Sequence, residues 1–151
     1  MWYRVFCRSD LEPSPADLQA RVQAPGRVVE GRFRGDDLGW TAAEFSLGAE
    51  TPIYVERYLT SADNLREDLN TWAAWLETCT YSPNYVVLME RVIQSKQLVT
   101  IRKPLDHRND SAIEDICRTL AIAIAGVADG VFQIEGDGWY TSGEELLLKE
   151  Y

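Results

Sequence analysis

The chain has 151 residues, a formal net charge of −9 and a hydrophobic content of 46%. That content, with 11% aromatics and five tryptophans, excludes intrinsic disorder and implies a real core. The acidity disfavours nonspecific attraction to nucleic acid or anionic membrane, and no run approaches the ~20 continuous apolar residues of a membrane helix.

Trp2 to Arg8 alternates, with Tyr3, Val5 and Cys7 on one side, and reads as a strand. Glu12-Pro13-Ser14-Pro15 breaks it. Ser14 is a helix cap and Pro15 suits the first helical position, and Leu18 and Val22 give a short apolar stripe that Pro25-Gly26 ends. Val28 to Arg34 and Trp40 to Leu47 read as strands around the turn residues Gly35 to Gly39. The section from Trp2 is therefore strand, helix, strand, strand.

Gly48 to Pro52 is the best boundary in the chain, and it is short enough to predict a tight connection. Ile53 to Leu59 alternates as a strand. Asn64 and Glu67 have the spacing of a capping box, and Leu65, Leu69, Trp72, Leu76 and Cys79 form the clearest amphipathic helical stripe. Tyr85 to Val92 is strongly apolar and, with Leu98 to Arg102 after a polar turn, reads as a hairpin. Ser111 and Glu114 repeat the capping-box spacing before a stripe of Ile113, Ile116, Cys117, Leu120 and Ile124, which Gly126 or Gly130 should end in a left-handed cap. Val131 to Glu135 is a strand, Gly136-Asp137-Gly138 a turn, and Leu146 to Tyr151 a closing edge strand.

From Ile53 to Glu135 the order is strand, helix, strand, strand, helix, strand. That order predicts an α+β protein with an antiparallel sheet backed by helices. Its core over residues 53–135 would be a ferredoxin-like βαββαβ unit, preceded by a βαββ section and followed by a C-terminal hairpin. The helices around Trp72 and Leu120 are then expected side by side across a single antiparallel β layer. Residues 1–151 are read as one compact unit with pseudo-repeat halves 1–50 and 51–151, because the first section alone is too small to cover a sheet face.

Cys7, Cys79 and Cys117 are odd in number, widely spaced and on apolar faces, which predicts three buried, reduced thiols. No charged segment followed by an apolar run opens the chain, so the expected location is the cytoplasm.

Chemistry-bearing patterns are sparse. His107, the only histidine, lies in a polar loop beside Asp106 and Asp110; it is a weak candidate for a general base and is read as a solvated loop residue. No Cys/His pairs have zinc spacing, no Gly-rich phosphate loop occurs, and neither metal nor cofactor is expected. Arg32 and Arg34 share one face of a strand, as do Arg4 and Arg8. If those strands pair, a small cationic patch results, suited to an anionic ligand or an acidic protein, or to balancing the acidic remainder of the chain. That remainder is marked: up to Arg34 six basic residues stand against four acids, and beyond it nine against twenty. Tyr54, Tyr58, Trp40 and Trp139 fall on a less buried sheet face, and Trp75 at the edge of the Trp72 stripe.

Two functions follow. The first is a non-enzymatic protein-binding or regulatory module, with Arg32, Arg34, Tyr54, Tyr58 and Trp75 as contact residues and a basic protein as partner, without nucleic acid or membrane. The second is a small-molecule-binding protein or cofactor-independent enzyme with a pocket between sheet and helices. Edge strands near Trp2 and Leu146 leave a homodimer open.

Overall fold

The computed structural model describes residues 1–105 and 110–151, so His107 and Asp106 lie outside the described residues. The order is β1 (Trp2–Cys7), α1 (Pro15–Arg21), β2 (Val29–Asp36), β3 (Gly39–Leu47), β4 (Ile53–Leu59), α2 (Arg66–Glu77), α3 (Tyr85–Ile93), β5 (Gln97–Arg102), α4 (Asp110–Val127), β6 (Gly130–Ile134), β7 (Gly138–Thr141) and β8 (Leu146–Lys149). The fold is α+β. All eight strands form one open sheet in the order β2-β3-β4-β5-β1-β6-β7-β8, antiparallel at every pairing.

The sheet is covered on both faces. Successive side chains of a strand point to opposite faces. Tyr3, Val5 and Cys7 of β1 pack with Ile113, Ile116, Leu120 and Ile124 of α4 and with Leu18 and Val22 of α1. Phe6, between them, packs on the other side with Leu69 and Leu76 of α2, Leu88 and Val92 of α3, and Trp139. The helices around Trp72 and Leu120 therefore lie against opposite faces of the sheet, not side by side as the sequence suggested. Both stripes are long enough to bury a sheet face, and periodicity does not say which face each one takes.

Three local expectations also change. Tyr85–Ile93 is a helix, so residues 53–135 run β4-α2-α3-β5-α4-β6 instead of the expected βαββαβ, and the sheet exceeds that core. Its core-facing residues Leu88 and Val92 are spaced i, i+4, but Val86, Val87 and Ile93 stay exposed. An apolar residue at nearly every position hid the helical period. The first capping box does not form: α2 starts at Arg66 after Leu65, without a side-chain cap, while Asp63 accepts a bond from the Leu59 N–H at 2.8 Å. The second also fails, because α4 already includes Ser111 in its first turn.

The Ser14 cap does hold, its Oγ accepting from the Asp17 N–H at 3.3 Å with Pro15 beginning the helix. After α4 the left-handed position falls on Asp129 (φ 54°), not on Gly126 or Gly130. Its carboxylate accepts from Arg8 Nε at 3.0 Å and Arg91 Nη1 at 3.1 Å, tying the start of β6 to β1 and α3. These bonds, Arg8 first, hold the Asp129 carboxyl below the usual aspartate range.

A buried arginine fastens the loops at one end of the sheet. Arg57 of β4 donates to Gln97 Oε1 at 2.8 Å and to the carbonyls of Trp40 (3.2 Å), Leu38 (3.3 Å) and Asp10 (3.3 Å). Gln97 in turn donates to the Ser9 and Leu11 carbonyls at 2.7 and 2.9 Å. The β1–α1 loop, the β2–β3 turn and β5 are thus held by two side chains, and burying the cation is offset by four acceptors that engage all three of its nitrogens.

Cys7, Cys79 and Cys117 are buried and unpaired, and burial pushes the Cys7 and Cys117 thiols up to about 12. The thiolate is the reactive form, so a thiol reagent at mildly alkaline pH should label none of the three in the native chain and all three after unfolding. Fast native labelling would refute that packing. Asp129 offers a second check. Its folded-state value lies below the unfolded one, so its contribution is complete above the ordinary aspartate value of about 3.9 and fades as pH falls through the depressed range. Asp129→Asn should lower the melting temperature at neutral pH, and the two proteins should converge in acid.

Candidate functional site

The helices leave part of one sheet face open. Strand register fixes what lies there. One row across the sheet runs Arg32, Glu44, Tyr54, Arg102, Trp2. The next runs Arg34, Ala42, Glu56, Thr100, Arg4, Gln133, Trp139. These rows share a face with Phe6, yet the layer of α2 and α3 reaches only part of it.

The outer portion is concave. Ala42 is the one small side chain among long ones, and the surface dips over it. Arg32, Arg34, Glu44, Tyr54 and Glu56 surround a cavity of about 280 Å³. Ala42 lies directly between Arg34 and Glu56 in the ladder, and cross-strand neighbours of this kind have Cβ atoms about 5 Å apart. Arg34 and Glu56 thus stand about 10 Å apart across Ala42, while Arg32 and Glu44 are direct neighbours beside it.

Their partners are unequally filled. The Tyr58 hydroxyl donates to Glu56 Oε2, and burial, followed by that carboxylate, raises the Tyr58 phenol to about 12. Arg102 lies over the Tyr54 ring at 4.9 Å and over Trp2 at 5.9 Å. Arg32 is held by Glu30 of its own strand at 3.4 Å, with both side chains more than two-thirds exposed, a contact worth little against water. The Arg34 guanidinium and the Glu44 carboxylate have no partner among the described residues. With Arg34 and Glu44 unpartnered among the described residues and Ala42 between the charged side chains, the site can receive a surface of mixed charge.

Of the sequence-derived contact residues, Arg32, Arg34 and Tyr54 line the dip. Tyr58 does not line it but steadies Glu56. Trp75 sits apart on α2, stacked on Trp139, which stacks on Phe6 at 5.1 Å. The suggested union of the Arg4/Arg8 strand with the Arg32/Arg34 strand does not occur. β1 is four places from β2, about 19 Å at the usual strand spacing. Arg4 is taken up by Gln133 at 2.9 Å and the Trp72 ring at 4.8 Å, and Arg8 by Asp129. Ala42, Glu44 and Arg102 went unnoticed in the sequence, because only the register of β2, β3, β4 and β5 brings them to this place.

A second groove lies over α2 and α3, bordered by Tyr85, Val86, Met89, Ile93, Glu77 and Glu90. It is larger but has no opposed charges. Among the described residues no group of acids, histidines or cysteines could hold a metal ion, and no helix is long and apolar enough to cross a membrane. No protein-family model, curated protein or solved structure matches this chain, so the site stands on its geometry alone.

Proposed function

We propose that this chain is a non-enzymatic protein-binding module that engages its partner through the open sheet face over Ala42. One observation carries the reading: on a sheet otherwise overlaid by helices, Arg34 and Glu44 have no partner among the described residues, around a concave patch over Ala42. Free, oppositely charged groups at fixed spacing give orientation and partner choice more than raw affinity. The net charge of −9 favours encounter with a protein of net positive charge, which the contact residues then orient. Three buried, reduced thiols support a cytoplasmic setting.

The alternative, a small ligand held between sheet and helices, draws less support. Those layers are occupied by fully buried side chains, Phe6, Leu69, Leu76 and Trp139 on one face and Phe132, Ile113 and Ile116 on the other.

Filling the dip tests the proposal. Ala42→Arg should leave the melting temperature nearly unchanged, since the site faces solvent. Used as bait in lysate of the source cells, the wild-type chain should retain proteins that the variant loses, and retention should weaken as salt rises. Equal retention by both baits would refute the assignment to this face. A metabolite that raises the wild-type melting temperature, with no protein retained, would favour the alternative.

A further inference from the structure

The two edges of the sheet are closed by side chains in different ways. At β8, Tyr81 Oη donates to the Lys149 carbonyl at 2.7 Å, while Ser82 Oγ (3.1 Å) and Asn84 Nδ2 (2.8 Å) donate to that of Leu147. The α2–α3 loop has taken the place of a further strand. At β2 only one end is closed. Gln23 pairs with Val29 as a strand would: its Oε1 accepts from the Val29 N–H at 2.8 Å and its Nε2 donates to the Val29 carbonyl at 2.7 Å. Gln19 Nε2 adds a bond to the same carbonyl at 2.5 Å.

That closure shows which main-chain groups face outward. Both polar groups of Val29 point away from β3, so by the period of two those of Gly31 and Phe33 do as well. No hydrogen bond reaches the outward groups of Phe33 among the described residues. The exposed Arg32 and Arg34 flank this free stretch on the face of the Ala42 dip. On the opposite face, half-buried Phe33 presents its ring edge-on to Trp40 and Phe45.

A second copy of β2 is a poor occupant. Two-fold antiparallel pairing centred on Phe33 sets Arg32 on Arg34 and Glu30 on Asp36, like charges directly opposite. Centred on Arg32 it matches Glu30 with Arg34 but sets Arg32 on itself and Gly35 on Val29, whose groups Gln19 and Gln23 hold. Centred on Arg34 it matches Arg32 with Asp36 but sets Arg34 on itself and Gly31 on Asp37, past the strand end. Pairing centred on Gly31 would match Glu30 with Arg32 and Val29 with Phe33. It needs the Val29 groups that Gln19 and Gln23 already hold. Registers further along run off the strand end at Asp36.

We infer that the free part of β2, around Phe33, takes an added strand from a partner protein, an extended segment in which acidic residues alternate with apolar ones. This deepens the protein-binding reading and rests on it. The acids lie beside Arg32 and Arg34, the apolar residues beside Phe33, and the main chain bonds to the outward N–H and C=O of Phe33. Recognition of this kind draws affinity from main-chain bonds and selectivity from alternate side chains. The net negative charge of the chain still favours encounter with a partner of net positive charge; at contact the acids stand beside Arg32 and Arg34, where they compete with Glu30 and Glu44 for the Arg32 guanidinium.

The probe is a capped synthetic peptide, Glu-Val-Glu-Val-Glu, titrated into the isotopically labelled chain and followed by amide NMR. The expected result is a shift and slowed exchange of the Phe33 amide, with affinity reduced about tenfold or more by Arg34→Glu and lost on N-methylation of the peptide backbone. The lysine counterpart, Lys-Val-Lys-Val-Lys, should not bind. A Phe33 amide unmoved at millimolar peptide, equal binding of the lysine peptide, or perturbation confined to Tyr54 and Glu56 would each overturn the edge proposal. If bait retention still depends on Ala42 while Phe33 is silent, the edge proposal fails and the protein-binding reading survives.

Discussion

The N-terminal strand is buried on both faces, and the remaining architecture is arranged around that burial. Tyr3, Val5, Phe6 and Cys7 are all fully inaccessible. A strand of this kind needs a hydrogen-bonded neighbour on each side and a hydrophobic layer above and below. β5 and β6 supply the neighbours, α4 supplies one layer, and α2 with α3 supplies the other. Removing a buried aromatic such as Phe6 costs about 3–5 kcal/mol in most cores, a large part of a domain's net stability. Here the loss would fall between Trp139, which stacks on Phe6 at 5.1 Å, and Trp72, which meets it edge-on at 6.1 Å. The centre of the sheet thereby fixes both helical layers at once. The outer strands β2 and β3 are then free to present one face to solvent.

How far the sequence foretells this follows from what periodicity encodes. Alternation in Ile53–Leu59 and the i, i+4 spacing in Ile113–Ile124 each describe one face of one element, and those elements form as read. Position within a sheet is a different matter. Trp2–Cys7 reads in the sequence as an edge strand, yet it lies between β5 and β6. The signal was the unbroken run Val5-Phe6-Cys7, which a strand with one wet face does not carry. In α3, by contrast, the period itself was obscured, because exposed Val86, Val87 and Ile93 fill the polar side of the helix with β-branched residues.

The candidate site was legible in part for the same reason. Arg32 and Arg34 are two apart on one strand, so their shared face is a property of the chain. Their relation to Ala42, Glu44 and Tyr54 is a property of pairing, and two registers one residue apart would place opposite sets of side chains on that face. The β3 strand also carries an irregularity where Arg34 pairs with Ala42 and Gly35 with Trp40, leaving Thr41 over. Gly35 stands at that step, where a Cβ would run into the Gly39 carbonyl oxygen, but in the sequence it reads as the start of the turn, and the side chains beyond it are placed by the bulge.

The treatment of the two sheet edges bears on what the open face is for. At β8 three side chains close the edge. At β2 Gln19 and Gln23 hold the Val29 groups that pairing centred on Gly31 or Arg32 would need, and like charges oppose the register centred on Phe33. Arginines on an edge strand are an ordinary defence against self-pairing. They defend equally well against any basic or neutral strand, but a carboxylate-bearing one turns the same charges into attraction. Edge and dip also adjoin: Arg32 and Arg34 belong to both, so an added strand would extend the row of Glu44 and Tyr54 by one position and deepen the cavity over Ala42. A partner bound in this way would be read by main-chain geometry at β2 and by the free charges of Arg34 and Glu44 beside it, two contacts that one extended segment can satisfy together.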